Sequence, residues 1–339
     1  MKIRFWGDFH LGRAISHSTE QGAKKFNTMR KQIILSNYEG SFNIKSSNNI
    51  DFNLGDVFDS FKCSNNTFID AIDLTSHFNV VNFGNHDFAR DSSKTSALED
   101  LKYISNFDLV KDSEYDYSYD MRKVTVTIVP YQTTQAKYEE LLRGLVPPIA
   151  PGAIKILGLH TNIDSPYTSA DIDNNLTRDM IESLLERFDY IITSHEHNSR
   201  VLYDGRVIVT GSIIPMDFGQ MTDKYLWVFD TETLTWDKTL LWSAIDNFKR
   251  VNVQEFLDLQ TPFNFIEVTG EIQPSEVLPV NKKITNWFRA GEVIAIRNNT
   301  QIIRSSKNIE KASGLSWKDM VKSKLNEHQL QAFEELDND

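Results

Sequence analysis

Cysteine is nearly absent from this 339-residue chain: Cys63 stands alone, so no internal disulfide can form, and a reducing, cytoplasmic compartment is the expectation. Long apolar runs are missing as well. No stretch approaches the roughly 20 residues of a membrane-spanning helix, and no apolar segment of signal-peptide length precedes the first charged motif, so neither a membrane association nor a leader is expected. Positive charge is in deficit: 36 Lys and Arg against 47 Asp and Glu leave a net charge of -11, which argues against a strongly basic coat for nucleic acid. Only local basic runs, such as Lys24, Lys25, Arg30 and Lys31, are left to face phosphates. No internal repeat or low-complexity tract is present either.

What remains, 40% hydrophobic and 24% charged, is a globular composition long enough for one sizeable core and a smaller appended unit. Strand-like and helix-like patterns alternate from the start. Residues 2–6, 50–54, 79–83, 124–129, 154–159 and 190–193 read as strands, with helices over 21–36, 68–75 and a segment capped by Thr177 whose Met180, Ile181, Leu184, Leu185 and Phe188 share one face. Short strands at 207–210, 226–229 and 235–241 follow without helices between them. The fold class is therefore α/β, a sandwich. Past residue 245, strands at 263–268 and 293–297 around a helix near 284–288 make a small β-α-β-like unit. A polar linker at 305–313 leads to a tail in which Trp317, Met320, Val321, Leu325, Leu330, Phe333 and Leu336 recur at roughly helical spacing, suiting either a terminal packing helix or a docking segment.

The chemistry lies where the strands end. Asp8 and His10, two apart on an extended segment, can point the same way and offer one hard oxygen and one imidazole to a single ion. After the second strand, Gly55 permits a tight exit and Asp56 can give one carboxylate oxygen to each of two metals. Asn85 supplies a neutral amide oxygen, and the adjacent His86, which cannot easily share its ion, is free to donate a proton. His160 ends the next strand, and His195 and His197 follow the one after. A single histidine is more often a packed or surface residue than a ligand. Five of the eight in this chain, all at carboxyl ends of strands, make a site the better reading. Asp8, His10, Asp56, Asn85, His160, His195 and His197 give seven ligands for two ions sharing one bridge.

In this order the motifs resemble those of the calcineurin-like metallophosphoesterases, and the layout is similar to the SbcD-type DNA nuclease subunits, most of all their compact bacteriophage form. Gly211-Ser212 followed by Pro215 resembles the family's segment after the last histidine pair, whereas beyond about residue 245 the likeness is one of layout. Two positions depart from the pattern: Ser194 stands where Gly is common before His195, and Asp59 where several cellular nucleases carry a second histidine.

The resemblance implies a four-layer sandwich of two mixed sheets flanked by helices over residues 1–245, a small α+β capping domain over 246–305, and a linker with a C-terminal helical segment over 306–339 that binds an SbcC-type coiled-coil ATPase. It implies one ion on Asp8, His10, Asp56 and His197, a second on Asp56, Asn85, His160 and His195, and water activated for in-line attack on phosphorus. His86 protonates the leaving oxygen, oriented by Asp59 or, less well, Asp87. The implied ions are two divalent metals, with Mn2+ preferred and Fe or Zn compatible. The implied substrate is DNA, cut at its ends in recombination, repair and replication, with a homodimer formed through Phe26, Met29, Ile33 and Ile34 if these do not serve as core. A small-substrate phosphomonoesterase or cyclic-nucleotide phosphodiesterase is the alternative, and a non-catalytic scaffold would have lost several ligands.

Overall fold

A computed structural model of the chain describes residues 1–42, 49–89, 94–119, 123–148, 151–164 and 174–303. The linker and tail expected over 306–339 lie outside the described residues. In chain order the elements are β1 (Lys2–Trp6), α1 (Glu20–Phe42), β2 (Asn49–Asn53), α2 (Asn65–Thr75), β3 (Val80–Asn82), α3 (Ala97–Lys102), β4 (Asp108–Val110), β5 (Tyr115–Tyr119), β6 (Val124–Ile128), α4 (Gln135–Gly144), β7 (Ile154–His160), β8 (Asn162–Ile163) and β9 (Asn175–Leu176). They continue with α5 (Arg178–Leu185), β10 (Tyr190–Ser194), β11 (Arg200–Leu202), β12 (Val207–Val209), β13 (Lys224–Asp230), β14 (Thr235–Trp242), α6 (Ala244–Asn247), β15 (Phe248–Asn252), α7 (Val253–Asp258), β16 (Phe265–Ile272), α8 (Val277–Ala290) and β17 (Ala295–Ile302).

Two six-stranded mixed sheets form the body, ordered β14-β13-β1-β2-β3-β4 and β11-β12-β10-β7-β6-β5. Their middles are parallel: β1, β2, β3 and β4 in the first, β12, β10, β7 and β6 in the second. Antiparallel strands complete both sheets.

Strand alternation explains the layering, because successive side chains leave opposite faces. From β1, Ile3 and Phe5 join Phe52, Val80, Val126, Ile156, Ile192 and Ile208, drawn from both sheets, in one core, while Trp6 joins Phe26, Ala71, Leu74 and Val81 in a second core that takes in α1 and α2. From β7 and β10, Leu157, Leu159 and Ile191 join Tyr138, Leu142, Ile181 and Leu184 of α4 and α5 in a third. Three cores separate four layers, helix, sheet, sheet and helix. This is the sandwich expected, and both faces of the parallel strands are buried, as such strands require.

Local signals set the helix starts. Ser64 and Thr177 accept main-chain amides at the starts of α2 and α5, and Ser96 with Glu99 closes a reciprocal capping box on α3. Phe26 and Ile34, placed above on a candidate dimer face, are fully buried in the α1 core, with Ile33 nearly so and Met29 packed against it. A dimer through this face is therefore not carried forward, since those side chains serve the chain's own packing. Of the basic run on α1, Arg30 alone is buried and so cannot face a phosphate; Lys24 pairs with Glu20 at 2.8 Å, Lys25 donates to the Glu292 carbonyl at 2.7 Å, and Lys31 pairs with Asp70.

The chain divides into two compact units. Of the described residues, one comprises 1–249, Thr261–Glu267 and Trp287–Arg297 and contains both large sheets; the other comprises Arg250–Gln260, Val268–Asn286 and 298–303. Within the second, Asn252 and Glu255 form a capping box on α7, and Lys283 of α8 donates to the carbonyls of Leu257 and Leu259 at 2.7 and 2.6 Å. Three of the five dividing points fall inside β15, β16 and β17, which pair in that order as a three-stranded sheet; the other two fall after α7 and inside α8. No helix among the described residues is long and apolar enough to cross a membrane.

Phe52 is fully buried between the two sheets and stacks on Phe5 at 5.4 Å. Phe52→Ala is expected to destabilise the protein by about 3–5 kcal/mol in denaturant unfolding, the range for truncating a core aromatic.

Candidate metal centre

Parallel pairing of β1 with β2 continues beyond the strands. The Asp56 carbonyl accepts the amides of Phe9 and His10, both at 3.0 Å, and Leu11 donates to Val57 O at 2.9 Å, laying the first two motifs side by side. The third follows β3, and the last two end β7 and β10. Three residues here hold left-handed backbone, His10 at φ 45°, Asp56 at 53° and His195 at 93°. Non-glycine residues rarely adopt it, and each costs on the order of 1–3 kcal/mol unless its surroundings impose it. Two glycines let the loops close on one another. A Cβ on Gly55 would lie 2.5 Å from His160 Nδ1, and one on Gly84 would lie 2.1 Å from Asp56 Oδ1.

The side chains gather into two groups that meet at Asp56. In the first, His10 Nε2 lies 3.0 Å from His197 Nε2 and 3.5 Å from Asp56 Oδ2, and His197 Nε2 lies 3.8 Å from Asp8 Oδ2. In the second, His160 Nε2 lies 3.4 Å from Asp56 Oδ2, and Asn85 Oδ1 lies 3.0 Å from both His160 Nε2 and His195 Nδ1. Asp8, His10 and His197 are spaced to hold one ion, and Asp56, His160 and His195 another. The structure thus places all seven sequence-derived ligand candidates in these two groups.

The outward ring nitrogens reveal what faces inward. A carbonyl can only accept, so His160 Nδ1, 2.9 Å from Leu54 O, carries the proton; His197 Nδ1 likewise donates to Gln220 Oε1 at 3.1 Å. Their Nε2 atoms are then the ones turned toward the other acceptors, free to coordinate once any second proton is displaced. Such convergence of imidazole, carboxylate and amide lone pairs calls for cations among them, and the donor set suits Mn2+, Fe or Zn.

Charge follows the same geometry. Burial opposes ionisation of Asp56, yet His160, His10 and His86 hold its carboxyl far below the usual range. Although burial disfavours its charged form, His160 is pushed up to about 9, chiefly by Asp56. Burial, aided by neighbouring imidazoles, pulls His195 and His197 down to about 3, which leaves both neutral and fit to coordinate. Asp8 is raised, mainly by burial. Its carboxylate accepts the His195 amide at 3.2 Å to either oxygen and the Ser194 hydroxyl, so the residue standing where glycine is common adds a hydrogen bond to the site.

His86 stands beside the groups with its ring edge-on to His10, centroids 4.7 Å apart, and its amide donates to Asp56 Oδ1 at 2.9 Å. Its expected partner needs correction. His86 Nδ1 donates at 2.7 Å to the main-chain carbonyl of Asp59, while the Asp59 carboxylate lies 3.2 Å from both His10 Nδ1 and Arg13. The tight loop after β2 turns the backbone, not the side chain, toward His86. Asp87 does not orient His86 either. Its buried carboxylate accepts the amides of Val57, Phe58 and Gly84, tying the second and third motifs together, and burial with Asp56 nearby raises it to about 7.

Three supporting residues carry no signal in the sequence. Arg30, fully buried in α1, donates to the carbonyl of His10 and, at 3.0 Å, to that of Arg13; burial lowers it to about 9, which leaves it charged at neutral pH. Gln220 orients His197, and Lys224, also buried, donates to the His197 carbonyl at 2.7 Å. All three reach the site from outside its motifs, and two act on main-chain carbonyls, which no side-chain spacing announces.

No family model matches the sequence, and no curated protein does either. Among solved structures, the fold is similar to that of a candidate 5'-nucleotidase from Staphylococcus aureus, at 16% identity and a TM-score of 0.46, over 71% of this chain and 53% of that one. This chain thus spans about half the length of that protein. It is also similar to an archaeal phosphodiesterase at 17% identity and a TM-score of 0.33, covering 71% of this chain and 99% of that one. At such scores the reading of the site rests on its own geometry.

Asp56→Asn is expected to lower the content of both ions in elemental analysis of Mn2+-loaded protein. Loss of a single ion would confine Asp56 to one group.

Proposed function

We propose that this chain is a metal-dependent phosphodiesterase acting on DNA, the exonuclease and endonuclease subunit of an SbcCD-like complex. The observation that carries the hydrolytic part of this reading is the pair of ligand groups sharing Asp56, with His86 held beside them by a neighbour's main chain. The motif order in the sequence favours DNA, and an ATPase partner would supply the basic surface that a net charge of -11 does not.

Asp8, His10, Asp56 and His197 would hold one divalent cation and Asp56, Asn85, His160 and His195 the other, with Mn2+ preferred. Bound there, the cations supply charge stabilisation for a phosphoryl group and acidify water. The protein's own part is positioning and proton transfer. With Nδ1 donating to Asp59 O, the doubly protonated His86 ring has its Nε2–H left to pass to the oxygen released as the P–O bond breaks, and is itself left neutral. Left-handed backbone at His10, Asp56 and His195 aims these side chains across short loops, and the buried Asp87 keeps the Asp56 loop in register with the loop that carries Asn85 and His86.

Incubating the protein with Mn2+ and an end-labelled duplex, beside a phosphomonoester, tests the substrate class. Cleavage of the duplex with little release from the monoester is the expected result, and the reverse would favour the small-substrate reading. His86→Ala is expected to keep its metal by elemental analysis and to lose about 10²- to 10⁴-fold in cleavage rate, the usual contribution of a general acid. Truncation after Lys311 is expected to abolish co-purification with an SbcC-type ATPase while sparing Mn2+-dependent cleavage of short DNA.

A further inference from the structure

We infer that Gln220 and Lys224 are positioning residues that fix His197 and so set the affinity for one of the two ions without touching the other. The inference rests on the binuclear reading above and adds to it a division of labour outside the ligand set.

Gln220 controls which nitrogen of His197 faces the site. Its Oε1 accepts from His197 Nδ1 at 3.1 Å and from the Met216 amide at 3.1 Å, while its Nε2 donates to Asp217 Oδ2 at 2.7 Å. Turning the amide over would set Nε2 against the Met216 N–H and Oε1 against a carboxylate, so the orientation is locked. A locked acceptor on Nδ1 keeps the proton there and leaves Nε2 as the ligand atom, the role that outer partners play for metal-binding histidines.

Lys224 controls where His197 sits. The residue is fully buried, and its Nζ donates to the His197 carbonyl at 2.7 Å and to Asn198 Oδ1 at 3.3 Å. A buried ammonium whose hydrogen bonds go to neutral oxygens, with Asp217 and Asp8 near enough to act only through their charge, is expensive for a fold to keep. Its placement makes sense if the main chain of a ligand must not move.

His10, the facing histidine, shares half of this plan. A buried cation, Arg30, grips its carbonyl, while the Asp59 carboxylate lies 3.2 Å from its Nδ1 without the alignment of a hydrogen bond. In the second group, His160 instead gives Nδ1 to the Leu54 main-chain carbonyl. The two clamps therefore converge on a single pair of imidazoles whose Nε2 atoms lie 3.0 Å apart.

Mn2+ titration calorimetry on the metal-free full-length chain tests the inference, with thermal unfolding of the same samples alongside. Wild type should show two binding events. Gln220→Ala should weaken one of them by about 10- to 100-fold, the usual effect of removing an outer-shell partner, and leave the other within about twofold. Lys224→Met should weaken the same event. The double variant Asp217→Asn with Gln220→Glu exchanges donor and acceptor within that pair while keeping an acceptor on His197 Nδ1, and it should restore the affinity. Two unchanged events, equal weakening of both, or failure of the double variant to restore the affected one would each overturn the inference. A wild type that takes up fewer than two ions would overturn the binuclear reading itself, and the inference with it, before any variant is compared.

Discussion

Everything about this site follows from the burial of more acceptors than the protein's own donors satisfy. Asp8 and Asp56 are excluded from solvent, His160 turns Nε2 inward, and Asn85 adds an amide oxygen to the same space. A fold can tolerate this only if positive charge enters. Without ions, Asp56 keeps its charge beside a His160 whose affinity for a proton is raised, so one proton partly substitutes for the missing cations. The left-handed residues and the glycines that admit close backbone approach are secondary to this demand. They bring the acceptors close enough that nothing but a cation suits the gap.

The layers explain how the demand is met. Each sheet ends its parallel strands on one side, so β1, β2 and β3 deliver the carboxylates, the amide and the His10 imidazole while β7 and β10 deliver the other three imidazoles. Ligands borne on short loops after strands need anchoring, and the anchors come from elsewhere: Arg30 from α1, Lys224 from the start of β13, and Asp87 from the third loop. Two buried cations direct their hydrogen bonds to the main chain of ligands rather than to carboxylates, so they hold those ligands in place without occupying the carboxylate oxygens.

The sequence made the strands and their terminal residues legible because both are local. An apolar run ending in Asp, Asn or His is visible within ten residues, and all seven ligand candidates were found that way. Thr177 was legible as a cap for the same reason. α3 was missed although Ser96 and Glu99 spell a capping box, since six residues are too few for helical periodicity to show. The face of α1 could be read as core or interface, and only the packing around Phe26 and Ile34 decides. Asp59 shows a subtler limit: its importance to His86 was visible, but a one-dimensional string does not say whether the side chain or the carbonyl turns inward. Gln220 and Lys224 lie 23 and 27 residues from the histidine they serve, with no repeat or spacing to link them to it.

The Asp8 carboxylate accepts hydrogen bonds from Ser194 and His195, residues 186 and 187 positions further along the chain. During synthesis, the first ligand waits until the fifth strand-end motif has emerged before its pocket exists. Contacts of such long range form slowly, because loop closure must precede any gain from them. The first stretch of chain is thus left holding a buried-to-be aspartate with no partner until those residues have been made. A cation that binds only the closed form would then act as a ligand for folding as well, adding about 2.7 kcal/mol at one hundred times its dissociation constant. The supply of metal would govern how much of the chain survives as folded protein, and not only how fast that protein works.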